Sequence, residues 1–321
     1  MKKSTKIWLI IAAALTFLGL QISVLALAIS DFDFNILSQY KTKTTTFEIE
    51  DDFENISITA DTSDIVFLPS ENNKTKVVIT EREDFTPSAS VKDSTLTIRS
   101  EGDLKWYQHI SMFDFNQKKI TVYLPLSTYN SLTINNSTGD VDISSSFSFK
   151  SINIELSTGN VKCSAQAETV TVKSSTGDIS VSNIHTDSLS LTASTGCITV
   201  SDVTVNQSIK TGVSTGNVTL SNVKCKALSS TGDTGDIKLK NVIVSEKLSI
   251  NRSTGDVTLE RCDASEIKIV TDTGDVSGTL LSEKVFFARS DTGDIRVPQT
   301  MSGGRCEITT DTGDIKITLT K

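Results

Sequence analysis

The sequence predicts an all-β fold: a single-chain β-solenoid (β-helix) of about ten coils of 19–20 residues, standing behind an N-terminal transmembrane helix. Three observations carry this. A Thr-Gly turn recurs ten times at nearly constant spacing, apolar and polar residues alternate on both sides of it, and no helical period is present beyond Ser30.

From Ile7 to Ile29 the chain runs 23 residues without a charge. At ~1.5 Å rise per residue this is long enough to cross a ~30 Å hydrocarbon layer. Lys2, Lys3 and Lys6 precede it, which predicts a cytoplasmic tip and a single-pass protein of a bacterial cell membrane whose remainder lies outside. A cleaved signal peptide is the competing reading. Ala26-Leu27-Ala28 is a passable cleavage site, but the apolar core exceeds the usual ~7 to 15 residues. Residues 1–29 are therefore read as tip and anchor, and residues 30–46, with "KTKTTT", as a polar spacer.

Residues 47–130 keep strand character without the strict period, as in "ISITADTSDIVFLPS" and "KKITVYLPLS". They are expected to form an irregular β region capping the solenoid at the membrane end, with Asp61-Thr62-Ser63-Asp64 as a decayed copy of the turn.

Residues 131–321 hold the regular repeat. Its turn glycines are Gly139, Gly159, Gly177, Gly196, Gly216, Gly235, Gly255, Gly274, Gly293 and Gly313, separated by 18 to 20 residues. Thr precedes every one. The second residue after each is β-branched, and the seventh before each is apolar, from Leu132 to Cys306. Polar residues alternate with these, as in Val257-Thr258-Leu259 and Leu248-Ser249-Ile250, so two short strands with one buried face flank each turn. The few apolar side chains of one coil cannot offset the entropy of ordering it, so coils must stack. At ~4.8 Å per coil the result is a rod roughly 50 Å long. Turns stacked in chain order explain why the motif repeats so faithfully. The residue after glycine is Asp seven times, Asn at Asn160 and Asn217, and Cys at Cys197; Asx side chains bond nearby backbone groups. The final strand is expected to leave an open edge, which Lys316 and Lys321 would guard or on which a partner strand could dock.

"DIVFLPS", "KKITVYLPLSTYNSLTINNSTGDV" and the later Thr-Gly-Asp turns, behind one membrane helix, resemble the bacterial family of unknown function labelled putative adhesin. The resemblance covers nearly all of the exported region. It implies β-strand repeats on a bacterial envelope, some near envelope-stress regulators, and it carries no catalytic residues to transfer.

Composition narrows the function. Beyond the three N-terminal lysines, 28 basic residues face 39 acidic ones, a balance that repels phosphate backbones and excludes nucleic acid as partner. Cys163, Cys197, Cys225, Cys262 and Cys306 lack metal-site spacing, and Cys163 and Cys306 occupy positions that other repeats give to Ile, Leu or Val. They read as buried free thiols. His109 and His185 are isolated, so neither makes a credible base, and no cofactor is implied.

Two candidate sites remain. Asp272, Asp275, Asp291, Asp294, Asp311 and Asp314 form an acidic stripe in the last three turns, which a Ca²⁺ ion could relieve. The alternative is that each Asp caps its own turn, helped by Arg289, Arg296 and Lys316. Trp106, Tyr107, Phe113 and Phe115 cluster in a chain of 6% aromatic content, as a ligand patch or, by the alternative, as the closure of a core.

The sequence thus predicts a non-enzymatic, membrane-anchored module outside the cell, structural, adhesive or envelope-sensing, with an envelope protein or glycan as partner. A carbohydrate-active β-helix enzyme and a calcium-dependent binding rod are the alternatives.

Overall fold

The computed structural model describes residues 12, 15–22, 24, 42–83, 85–102 and 118–320. The expected anchor falls largely outside these residues. Those described there, 12, 15–22 and 24, are helical and carry exposed apolar side chains, and among the described residues no helix is long and apolar enough to cross a membrane.

From Thr42 onward the described chain is β structure throughout, and from residue 128 it winds as a solenoid. The first strand, Thr42–Ile49, begins inside the segment read as spacer. The stacking is parallel and in register: Ile152 and Ile154 of one coil lie on Leu132 and Ile134 below and under Val170 and Val172 above. All six are buried, so the alternation read from the sequence becomes continuous apolar rows along the axis. In the column five residues before each glycine the two polar exceptions, Thr211 and Ser230, fall in successive layers. The Thr211 hydroxyl donates to Ser230 Oγ at 2.8 Å, which satisfies two buried groups with one bond.

A complete coil has three straight runs, not two. In the coil entered after Gly196 these are Ile198–Ser201, then Val203–Thr204, then Ser208–Thr215, each paired in parallel with the coil above. A corner missing from the sequence reading separates the first two. Asn183, Asp202, Asn222, Asn241 and Arg261, each six residues after a turn glycine, take φ between +52° and +58°. Asn and Asp tolerate this left-handed conformation better than other non-glycine residues, and they bond between layers: Asn222 donates to Asp202 at 2.9 Å and Asn241 to Asn222 at 2.9 Å. The third corner absorbs the variation in coil length, since the register slips between Thr204 and Ser208 and again between Cys225 and Ala227.

The glycine turns stack on one another. Gly216 has φ +143°, and a Cβ there would lie 2.0 Å from the carbonyl oxygen of Gly196. Two demands meet at one atom: a backbone angle that L residues avoid, and a neighbouring layer too close for any side chain.

Chain order and stacking order part company at both ends. At the N-terminal end Asn55–Thr62 and Asp64–Pro69 are an inner layer. Thr128–Thr138 and Val141–Ile143 lie on one side of them, and Thr95–Ser100 and Lys119–Leu124 on the other. The decayed turn at Ser63 is therefore the layer directly beneath Gly139. Antiparallel strands finish this end: Thr75–Arg82 pairs with Lys119–Leu124 and with Thr42–Ile49, while Ser88–Lys92 pairs with Thr95–Ser100.

At the other end the expectation of sequential stacking fails for the last two coils. Gly304–Thr312 and Ile315–Leu319 insert between the Gly274 coil and the Gly293 coil. The last strand is thus interior, and the open edge belongs to Lys284–Thr292 and Ile295–Arg296. The inserted coil supplies Cys306, Ile308, Ile315 and Ile317, each at most 2% exposed. The Gly293 coil places Phe286, Ala288 and Ile295 at the positions equivalent to Cys306, Ile308 and Ile315, and on the outside these stay only partly covered or exposed. Gly303 and Gly304 make the crossing, since a Cβ on them would lie 1.8 Å from the carbonyl oxygens of Glu283 and Ser265.

Candidate functional site

The residues after the turn glycines form a hydrogen-bonded ladder along one edge of the rod. Asp64 Oδ1 accepts from the N–H of Asp140, Asp140 from Asn160, Asn160 from Asp178, and Asp178 from Cys197, at 2.7 to 2.9 Å. It resumes with Asn217 accepting from Asp236, Asp236 from Asp256, and Asp256 from Asp275. The last steps follow the rearranged stacking, with Asp275 accepting from Asp314 and Asp314 from Asp294. Among these turns the ladder breaks once, between Cys197 and Asn217, where a thiol replaces the carbonyl or carboxylate oxygen.

This ladder bears on the proposed Ca²⁺ stripe. Asp275 and Asp314 each spend one oxygen on a backbone N–H, and Asp294 binds Arg296 at 3.1 Å. Asp291 binds Arg289 at 3.0 Å. Asp272 and Asp311 occupy exposed positions two before their glycines. The six therefore line adjacent layers, in the order of the Gly274, Gly313 and Gly293 coils, and among the described residues no three His, Cys, Asp or Glu side chains are grouped as a metal site would group them. The carboxylates of Asp275 and Asp314 reach the N–H of the neighbouring turn, whereas the turn-capping alternative had each Asp serve its own. Trp106, Tyr107, Phe113, Phe115 and His109 lie outside the described residues.

The five thiols are free, and Cys163, Cys225, Cys262 and Cys306 are buried. Burial pushes Cys163 and Cys262 up to about 11 and Cys225 and Cys306 up to about 12, which keeps them protonated and inert at neutral pH. Cys197, partly exposed in the turn stack, is the exception in placement.

Arg252 is an interior charge that the sequence reading missed. It is 1% exposed and occupies the inward position three before Gly255, directly above Gly232. Its Nη1 donates to Val213 O at 3.1 Å, in space a Cβ on Gly232 would fill. Burial pulls the guanidinium pKa down, while Asp233 and Asp236 act against that shift. A glycine and an arginine in successive layers of one inward column were a usable signal.

On the side of the rod a groove of about 560 Å³ crosses the layers. Asp61 and Glu101 border it at the capped end. Asn135, Glu155, Lys173 and Thr192 line it from the outward column four before the turn glycines. Ser137, Ser157, Ser175 and Ser194 line it from the column two before them. Lys173 Nζ lies 2.9 Å from Glu155 Oε1, and both remain about half exposed. The floor is flat because the layers are in register, and its groups are hydroxyls, amides and charges of both signs. Such a surface can exchange hydrogen bonds with a polyhydroxy or peptide ligand. Each coil contributes one residue per column, so no contiguous motif announces the groove.

Comparison with known families finds matches to Toastrack DUF4097 over residues 53–212 and again over 206–321. The chain belongs to the Toastrack DUF4097 family. This agrees with the resemblance read from the motifs. The Toastrack chain matches no curated protein. Among solved structures it is similar to one from Bacteroides fragilis named a putative adhesin, at 16% identity over 87% of this chain and 97% of that one, TM-score 0.41. A putative lipid binding protein from Parabacteroides distasonis shares 14% identity over 88% and 98%, TM-score 0.45. A putative adhesin from Parabacteroides merdae shares 11% over 88% and 98%, TM-score 0.45.

Proposed function

We propose that this Toastrack chain is a membrane-anchored binding module, outside the cell, that holds an envelope protein or glycan against its long side face in an adhesive or sensing role. The observation that carries this reading is the polar groove spanning successive coils, with Asp61, Glu101, Glu155 and Lys173 set among hydroxyls and amides. Anchoring is supported by the uncharged run of 23 residues from Ile7 and by helical residues 15–22, which expose Leu15, Phe17, Leu18, Leu20 and Ile22.

The test is binding of the full chain in lipid nanodiscs to cell-wall and capsular glycan arrays and to envelope extracts. Glu155→Ala combined with Lys173→Ala should weaken a specific hit by about tenfold or more, the effect of losing one or two good contacts at a polar site. A hit unaffected by the double substitution places the ligand elsewhere. Turnover of a polysaccharide by the purified chain would replace the binding reading with the enzymatic one.

A further inference from the structure

We propose that the distal end of the rod is a docking surface for the same end of a second copy of this chain, through antiparallel pairing of Lys284–Thr292 with its counterpart. The outermost coil is a core cut open. Ile295 is 42% exposed, whereas its equivalents Ile315 and Val276 in the layers beneath are fully buried. Phe286, Ala288 and Val297 are only partly covered. Of the exposed large apolar side chains outside the N-terminal helix, Leu281, Phe287, Ile295 and Met301 belong to this end. The opposite end is finished by antiparallel strands, so the two ends are not equivalent.

The backbone of this edge is ready to pair. Thr292 O and Asp294 O accept from Gly313 and Ile315 of the layer beneath, at 2.9 Å each. By the alternation of a strand, the N–H and C=O of Phe287, Arg289 and Asp291 point to the free side.

What selects a second copy over another strand is charge. Arg289 and Asp291 lie on either side of Ser290 on the outward face, both well exposed. A twofold axis through Ser290 sets Arg289 opposite Asp291 of the second copy, and Asp291 opposite its Arg289. The edge is therefore complementary to itself, as an isologous interface requires, and the same rotation brings the two open cores together. Parallel addition of a strand in register would instead place Arg289 beside Arg289 and Asp291 beside Asp291, which repel.

The experiment uses the full chain in detergent, with self-association followed by sedimentation across a wide concentration range. A closed dimer is expected. Arg289→Asp and Asp291→Arg should each raise the dimer dissociation constant by about tenfold or more, because like charges then oppose each other twice. An equimolar mixture of the two variants should recover the parental affinity, since each now complements the other. Both positions are exposed, and unchanged far-ultraviolet circular dichroism spectra should show that the variants fold. Association through the N-terminal helix would ignore these substitutions, so a dimer equally strong in all samples overturns the proposal. It is also overturned by a monomer at every concentration, by open-ended polymers, which signify head-to-tail contact, or by a mixture that fails to recover.

Discussion

The middle of the rod and its two ends obey the same packing rules and differ in how the chain is threaded through them. Between Gly139 and Gly274 each coil rests on the one before it in sequence. At the ends a layer that is early or late in the chain is held between two others, Asn55–Thr62 at one end and Gly304–Thr312 at the other. A solenoid made only of sequential coils would finish on whichever coil came last. Inserting the last coil leaves the Gly293 coil, whose strand carries the paired charges Arg289 and Asp291, on the outside. The comparison teaches that the repeat specifies a layer, whereas the connections specify which layer is adjacent.

The sharpest way to break this distinction is to end the chain after Gly303. Removing Gly304–Lys321 takes out an interior layer, with the burial of Cys306, Ile308, Ile315 and Ile317 and the cover they give the Gly274 coil. A loss on the order of 6 kcal/mol or more is expected from those side chains alone. In hydrogen exchange, Val276–Leu280 should lose protection; had the coils stacked in sequence, that strand would stay covered by the Gly293 coil.

A smaller effect separates middle from end at a single atom. Gly216→Ala places a Cβ 2.0 Å from Gly196 O with layers packed on both sides, and should destabilise by about 3 kcal/mol or more. Gly293→Ala meets Gly313 O at 2.1 Å, but its coil is outermost and can lift away. About 1 kcal/mol is expected there, as for local fraying. Denaturant midpoints of the two variants should differ accordingly.

The smallest effect runs in the stabilising direction. Cys197→Asn supplies the missing oxygen to the N–H of Asn217 and closes the Asx ladder. A gain of about 1 kcal/mol is expected for one added hydrogen bond, which should raise Tm by about 2 °C in a chain of this size. No rise, or a fall, would show that the interruption costs nothing.

These contrasts follow what was legible in the sequence. The turn glycines, the inward columns and the buried thiols could be read because each is a demand that every layer repeats. The second corner was written just as regularly, as Asn183, Asp202, Asn222 and Asn241, but Asx residues are common in these turns and Arg261 breaks the pattern. The stacking order was hidden because identical layers accept one another in any sequence. The groove was illegible for a related reason: Asp61, Glu101, Asn135, Glu155 and Lys173 come from separate strands and meet only after stacking.

The inserted coil also sets a timetable. During synthesis, residues 284–296 emerge before the layer that will separate them from the Gly274 coil. They must either wait beside the growing rod or make way when residues 304–319 arrive. The distal tip therefore cannot reach its final stacking until residues 304–319 have emerged.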